Sequence, residues 1–110
     1  MMAFNEKNFV KQVLPINNAA LYTVPDGKRC LIRSITINVY GAVVKVTLYL
    51  VPNGGTAEDG NSLLKALTVT RDGLVDINSF KILEAGGTIQ GYADKPNAAT
   101  LHIDGAEVDI

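Results

Sequence analysis

The sequence predicts an all-β fold: a two-sheet antiparallel β-sandwich of eight or nine short strands, jelly-roll-like in preference to immunoglobulin-like, with an N-terminal arm. Three observations predict it. Apolar residues alternate with others at period two, most clearly where Val44, Val46, Leu48 and Leu50 interleave with Lys45, Thr47, Tyr49 and Val51, which suits a half-buried strand and not a helix. Turn residues recur at short intervals, at Pro25-Asp26-Gly27, Arg71-Asp72-Gly73, Glu84-Ala85-Gly86-Gly87, Asp94-Lys95-Pro96-Asn97 and Asp104-Gly105. No stretch repeats at 3.6 residues, so no helix longer than a turn is expected.

Residues 1–19 form one unit, an extended arm, and 20–110 the sandwich domain. In the arm, Phe4, Phe9, Val10, Val13 and Leu14 are scattered among Asn, Lys, Glu and Gln, with a short strand expected around Asn8–Leu14. Apolar residues on a polar terminus need burial somewhere. Two readings stand: a first strand along the domain's own edge, or an arm whose phenylalanines dock on a neighbouring subunit.

Leu21–Val24 reads as a short strand, and Pro25-Asp26-Gly27 turns the chain into Lys28–Pro52, the stretch around which the rest is organised. It reads as two long strands, a hairpin through Tyr40-Gly41-Ala42. Within the first, Leu31, Ile35, Ile37 and Val39 share a parity that Arg33 interrupts, so a bulge or bend is expected near Arg33 and Ser34. In the second, Val44, Val46, Leu48 and Leu50 face the core, while Lys45, Thr47 and Tyr49 belong to the surface.

Pro52–Asn61 is a surface loop rich in Gly, Asn and acids. Ser62–Thr70 is a strand. Leu74–Leu83 changes parity between Val75, Ile77 and Leu83 on one side and Phe80 and Ile82 on the other, which predicts a bend near Asn78-Ser79. Thr88–Ala93 and Ala98–Ile103 are strands, and Asp104-Gly105 is expected to close a last hairpin with Ala106–Ile110.

Composition limits the function. With 110 residues, 47% of them hydrophobic, the chain can build one core. Ten Lys and Arg against eleven Asp and Glu leave a net charge of −1, without the basic excess that nucleic-acid binding needs. No apolar run approaches membrane-spanning length, and the start MMAFNEKNFVKQV is too polar for a signal peptide, so a soluble cytoplasmic product with no membrane contact is expected. Cys30 is the one cysteine and reads as a packed thiol.

Reaction chemistry is not written in the chain. His102 is the single histidine, two residues from Asp104 on a strand and so on its face, but no second histidine or cysteine nearby completes a zinc site. Ser34, Ser62 and Ser79 lack a nucleophile elbow, the acids Glu58-Asp59 and Asp72 with Asp76 lack calcium-loop spacing, and Gly54-Gly55 and Gly86-Gly87 precede no helix. No catalytic residue, metal or cofactor is expected. Tyr40, Tyr49 and Tyr92 fall on the polar parity of their strands, as cross-strand partners, as the centre of a protein interface, or as a sugar-stacking set.

Four runs carry a family likeness: LYTVPDGKR at 21–29, VTLYLVP at 46–52, LEAGGTIQ at 83–90 and DGAEV at 104–108. In this order they resemble small tailed-bacteriophage virion proteins of β-sandwich type, the head decoration (cementing) or tail accessory proteins. The likeness spans residues 20–110. This chain has Gly87 where that family commonly has an acidic residue after the Ala-Gly of the turn, and the arm has no counterpart. The resemblance implies a non-enzymatic structural protein, a dimer or trimer, that binds the major capsid protein or another virion protein on the outer head surface. Phe4, Phe9, Val10, Val13, Tyr40, Tyr49 and Tyr92 are then the candidate oligomer or capsid contacts. The alternative is a tail or fibre module that recognises a host surface glycan through the Asn53–Asn61 loop and the outer tyrosines.

Overall fold

The computed structural model describes residues 4–78 and 80–110, the Phe4 side chain excepted. Nine strands form among them: β1 (Phe4–Val13), β2 (Ala19–Thr23), β3 (Lys28–Val39), β4 (Val44–Val51), β5 (Ser62–Val69), β6 (Leu74–Ile77), β7 (Lys81–Leu83), β8 (Thr88–Ala93) and β9 (Ala99–Asp109). Asp59–Asn61 makes a single 3-10 turn. Sheet A has the order β1-β9-β3-β6, with β7 also on β3, and sheet B the order β2-β8-β4-β5. Every pairing is antiparallel. The chain changes sheet at every connection except β4 to β5 and β6 to β7, which is jelly-roll winding.

That winding overturns two local expectations. Lys28–Pro52 is not a hairpin: β3 belongs to sheet A and β4 to sheet B. Both strands carry a fully buried apolar series, Ile35, Ile37 and Val39 on one and Val44, Val46 and Leu48 on the other, and these faces meet across the core. The crossing is made by Gly41 at φ 79°, whose N–H donates to Asp72 Oδ1 at 2.9 Å. Nor does Asp104-Gly105 close a hairpin, because β9 runs through it unbroken between β1 and β3. Glycine is required there for closeness and not for a turn: a Cβ on Gly105 would stand 1.8 Å from the Leu31 carbonyl oxygen.

The expected irregularity at Arg33 is present. Register along β9 slips between Ile32 and Ser34, and Arg33, the extra residue, is exposed. The slip resets parity, so that Cys30 and Ile32 before it and Ile35, Ile37 and Val39 after it all point inward, while Leu31 turns to the outer face. The expected bend after Ile77 separates β6 from β7; Ser79 lies outside the described residues.

On β4, Thr47 (2% exposed) and Tyr49 (9%) are buried although they stand on the outer parity, which corrects their assignment to the surface. The cause is β5, which bulges toward them: the Ala66 N–H donates to Thr47 Oγ1 at 3.0 Å. Phe9, Val10 and Leu14 complete the core from the N-terminal side. Full burial of an aliphatic or aromatic side chain stabilises by roughly 1.5–3 kcal/mol, so these three anchor the first strand firmly.

Candidate functional site

The outer face of sheet A is the most feature-rich surface. The register slip of β3 and a second one in β1, between Asn8 and Val10, bracket Asp104 from its two sides. Bulges re-aim side chains, and these two open a depression of about 340 Å³ lined by Glu6, Lys7, Asn8, Arg33, Asp104 and Gly105. Arg33 Nε lies 4.0 Å from Asp104 Oδ1 across it, both side chains well exposed. Beside it a smaller hollow of about 100 Å³ is lined by Leu31, Arg33, Phe80, Gly105 and Ala106.

Around that hollow the register puts Leu31 against Ile82 and Ala106. Phe80 (64% exposed) and Ile82 (53%) are left facing solvent, and the Arg29–Glu84 pair at 3.0 Å lies on neighbouring positions of β3 and the β7 exit. Farther along the same face come Thr36, His102 and Asp76, then Val13 and Leu74, which flank the row Thr100–Asn38, with Tyr40 beyond the end of β3. The face thus carries apolar groups at both ends with polar and charged groups between them. Phe80 and Ile82 were detectable in the sequence, since their parity opposes that of Leu83; no spacing signal marks Leu31.

A second polar group closes the gap between the sheets near β1 and β2. Tyr22 Oη donates to Glu107 Oε2 at 2.5 Å, and Lys7 Nζ donates to the same oxygen at 3.2 Å. The hydrogen bond from Tyr22, and then Lys7, hold the Glu107 carboxyl below the usual glutamate range against the opposing effect of desolvation. Desolvation first, then Glu107, raises Tyr22 above the normal tyrosine value and lifts the buried Cys30 thiol to about 12. Phe9 stacks at 5.0 Å and 51° on Tyr22, and Lys7 Nζ lies 5.4 Å from that ring. Next to this group, on the same inner parity, Lys28 pairs with Asp109. The cluster is a structural tie from sheet A to sheet B, with every buried side-chain polar atom among the described residues partnered.

The residues singled out from sequence are dispersed. Phe9 and Val10 are buried in the chain's own core, Val13 and Tyr40 are exposed at one end, and the Phe4 side chain lies outside the described residues. Tyr49 and Tyr92 do come together on the outer face of sheet B; desolvation, then Tyr92, raises the Tyr49 pKa, but its ring is covered. His102 stands half-exposed opposite Thr36 and Lys11 on neighbouring strands. Among the described residues no three His, Cys, Asp or Glu side chains gather as a metal site, and no helix is long and apolar enough to cross a membrane.

No protein-family model and no curated protein matches the chain. A solved structure shares its fold. A chain in the structure of infectious bursal disease virus, Gx strain, superposes with a TM-score of 0.52 at 9% identity, over 100% of this chain and 33% of that one. A chain of the acid-stable capsid structure of Helicobacter pylori bacteriophage KHP30 gives a TM-score of 0.44 at 10% identity, over 100% of this chain and 86% of that one. The chain thus spans about a third of the length of the infectious bursal disease virus chain.

Proposed function

We propose that the protein is a non-enzymatic structural component of a virion, a homo-oligomeric decoration protein that binds capsid protein on the outer head surface. The observation that carries this reading is the outer face of sheet A, where exposed Phe80 and Ile82 form an apolar group with half-buried Leu31, ringed by Arg29, Arg33 and Glu84. Exposed clusters of this kind, apolar at the centre and charged at the rim, mark protein contacts. The jelly-roll likeness to a chain of a virus structure supports a virion role, and the resemblance of residues 20–110 to phage head and tail proteins supports decoration. A weak individual contact suffices, because an oligomer on a repeating lattice gains avidity from effective concentration.

The test is cosedimentation with purified heads that lack the protein. Wild type is expected to pellet with heads, and Phe80→Asp with Ile82→Asp, both at exposed positions, to stay in the supernatant with its fold intact by circular dichroism. Undiminished pelleting of the double variant overturns the assignment of this face. Failure of the wild type to bind heads, together with binding to tails or to a glycan array, transfers the protein to the tail-module reading.

A further inference from the structure

The four sheet edges are not equivalent. In sheet B, β2 has five residues with a register slip and β5 has two slips within eight residues; in sheet A, β6 and β7 have four and three residues. Only β1 offers ten residues, with no proline, whose far side carries unpaired backbone N–H and C=O groups among the described residues. Natural edges of this length are blunted by charge, proline or distortion, or are used for pairing. The lysine on its inner parity, Lys7, does not guard it, because Glu107 draws the ammonium back into the sandwich.

The single bulge in β1 has a consequence for its side chains. Glu6 lies opposite Ala106 and Lys11 opposite His102, both even positions of β9, so these two residues an odd number apart stand on the same outer face. Neither has an ion-pair partner among the described residues. An antiparallel pairing of β1 with a second β1 about a two-fold axis between Asn8 and Phe9 sets Glu6 of each copy directly opposite Lys11 of the other. It also sets Asn5 opposite Gln12, both on the inner parity. Opposite charges facing across strands stabilise a pair, and like charges destabilise it.

We propose that the partner of the β1 edge is a second copy of this chain, the two A sheets joining through β1 in this register to give a two-fold dimer. This deepens the homo-oligomer part of the reading above and rests on it, but not on the contact with heads. An isologous two-fold interface requires a self-complementary patch, and the Glu6–Lys11 exchange supplies one.

Sedimentation velocity over a concentration series tests it. Wild type is expected to be a dimer. Lys11→Glu sets Glu6 against glutamate twice per dimer, and Glu6→Lys sets lysine against Lys11 twice; each is expected to raise the dimer dissociation constant about tenfold or more. The charge-exchanged Glu6→Lys, Lys11→Glu chain is expected to return to within about threefold of wild type, a rescue that general destabilisation cannot produce. A monomeric or trimeric wild type overturns the proposal, as does a dimer indifferent to all three variants. Head binding of Phe80→Asp with Ile82→Asp is read separately: Phe80 and Ile82 lie at the opposite edge of sheet A, so that reading fails or stands without moving the dimer.

Discussion

In sheet A the irregularities converge on one central strand, and in sheet B they lie apart on the two edges. In sheet A the slips of β1 and β3 converge on Asp104 and Gly105 of β9, a strand paired on both sides. In sheet B the slips lie in β2 and β5, the two outer strands. The difference teaches what a bulge is for. Against β9 it re-aims side chains, opening the charged depression by Arg33 and keeping two apolar series inward; in β2 and β5 it breaks up short outer strands that another chain could join, whereas β1, with one slip in ten residues, keeps regular runs at Phe4–Asn8 and Val10–Val13.

The largest expected effect comes from testing how closely packed that centre is. In Gly105→Ala the new Cβ meets a main-chain carbonyl oxygen at 1.8 Å, and main chain in a doubly paired strand cannot move aside without parting the ladder. A loss of about 4–5 kcal/mol or more, the range reserved for gross backbone or core conflict, is expected in urea titration. The matching change in sheet B, Gly91→Ala, meets Leu48 Cδ2 at 2.6 Å and the Thr47 carbonyl at 2.9 Å. A side chain can give way in part, so a cost of about 1–3 kcal/mol is expected. Equal costs would remove the contrast between the sheets.

Next comes the tie between the sheets. Tyr22→Phe deletes the donor nearest the Glu107 carboxylate and is expected to cost about 2 kcal/mol near neutral pH, as hydrogen bonds to charged groups do. Its pH dependence has a fixed sign. The folded-state pKa of Glu107 is depressed from 4.5, so its stabilisation is complete above 4.5 and is lost as pH falls through the lower folded value. Glu107→Gln is therefore expected to be less stable than wild type at pH 7 and to converge on it below pH 4.5, measured by urea midpoints across that interval. A constant difference at all pH values would show that the carboxylate charge contributes nothing to the tie.

These features explain what could be read from the residues. The fold class was legible because period-two alternation and recurrent turn residues are local properties, and so was the bulge at Arg33, where the alternation itself breaks. Strand partnership was not: nothing in Tyr40-Gly41-Ala42 distinguishes a hairpin turn from a crossing between sheets, since the choice is made by β8 and β9, some fifty residues on. Asp104-Gly105 has the composition of a turn, and only the approach of Leu31 reveals that glycine is there to admit a carbonyl. Of the candidate surface, the parity of Phe80 and Ile82 was visible, whereas Glu107 gave no signal because its partners, Lys7 and Tyr22, are 100 and 85 residues away.

The smallest effect belongs to the edge of sheet B, and its direction is the informative part. Ala66 sits within β5 at φ 49°, a left-handed conformation, unlike Asp72 and Asn97, which adopt it in turns where short polar residues tolerate it. A non-glycine residue there carries a strain of roughly 1–2 kcal/mol, and glycine removes it while adding about 0.5–1 kcal/mol of unfolded-chain entropy. Ala66→Gly is thus expected to raise stability by about 0.5–1 kcal/mol, a shift of a few degrees in melting temperature. Because the N–H of residue 66 still reaches Thr47 Oγ1, the bulge persists and β5 should remain unable to pair. A gain in melting temperature with unchanged oligomeric state separates the two roles of the distortion, showing that strain at Ala66 is the local cost of an edge kept closed while β1 stays open.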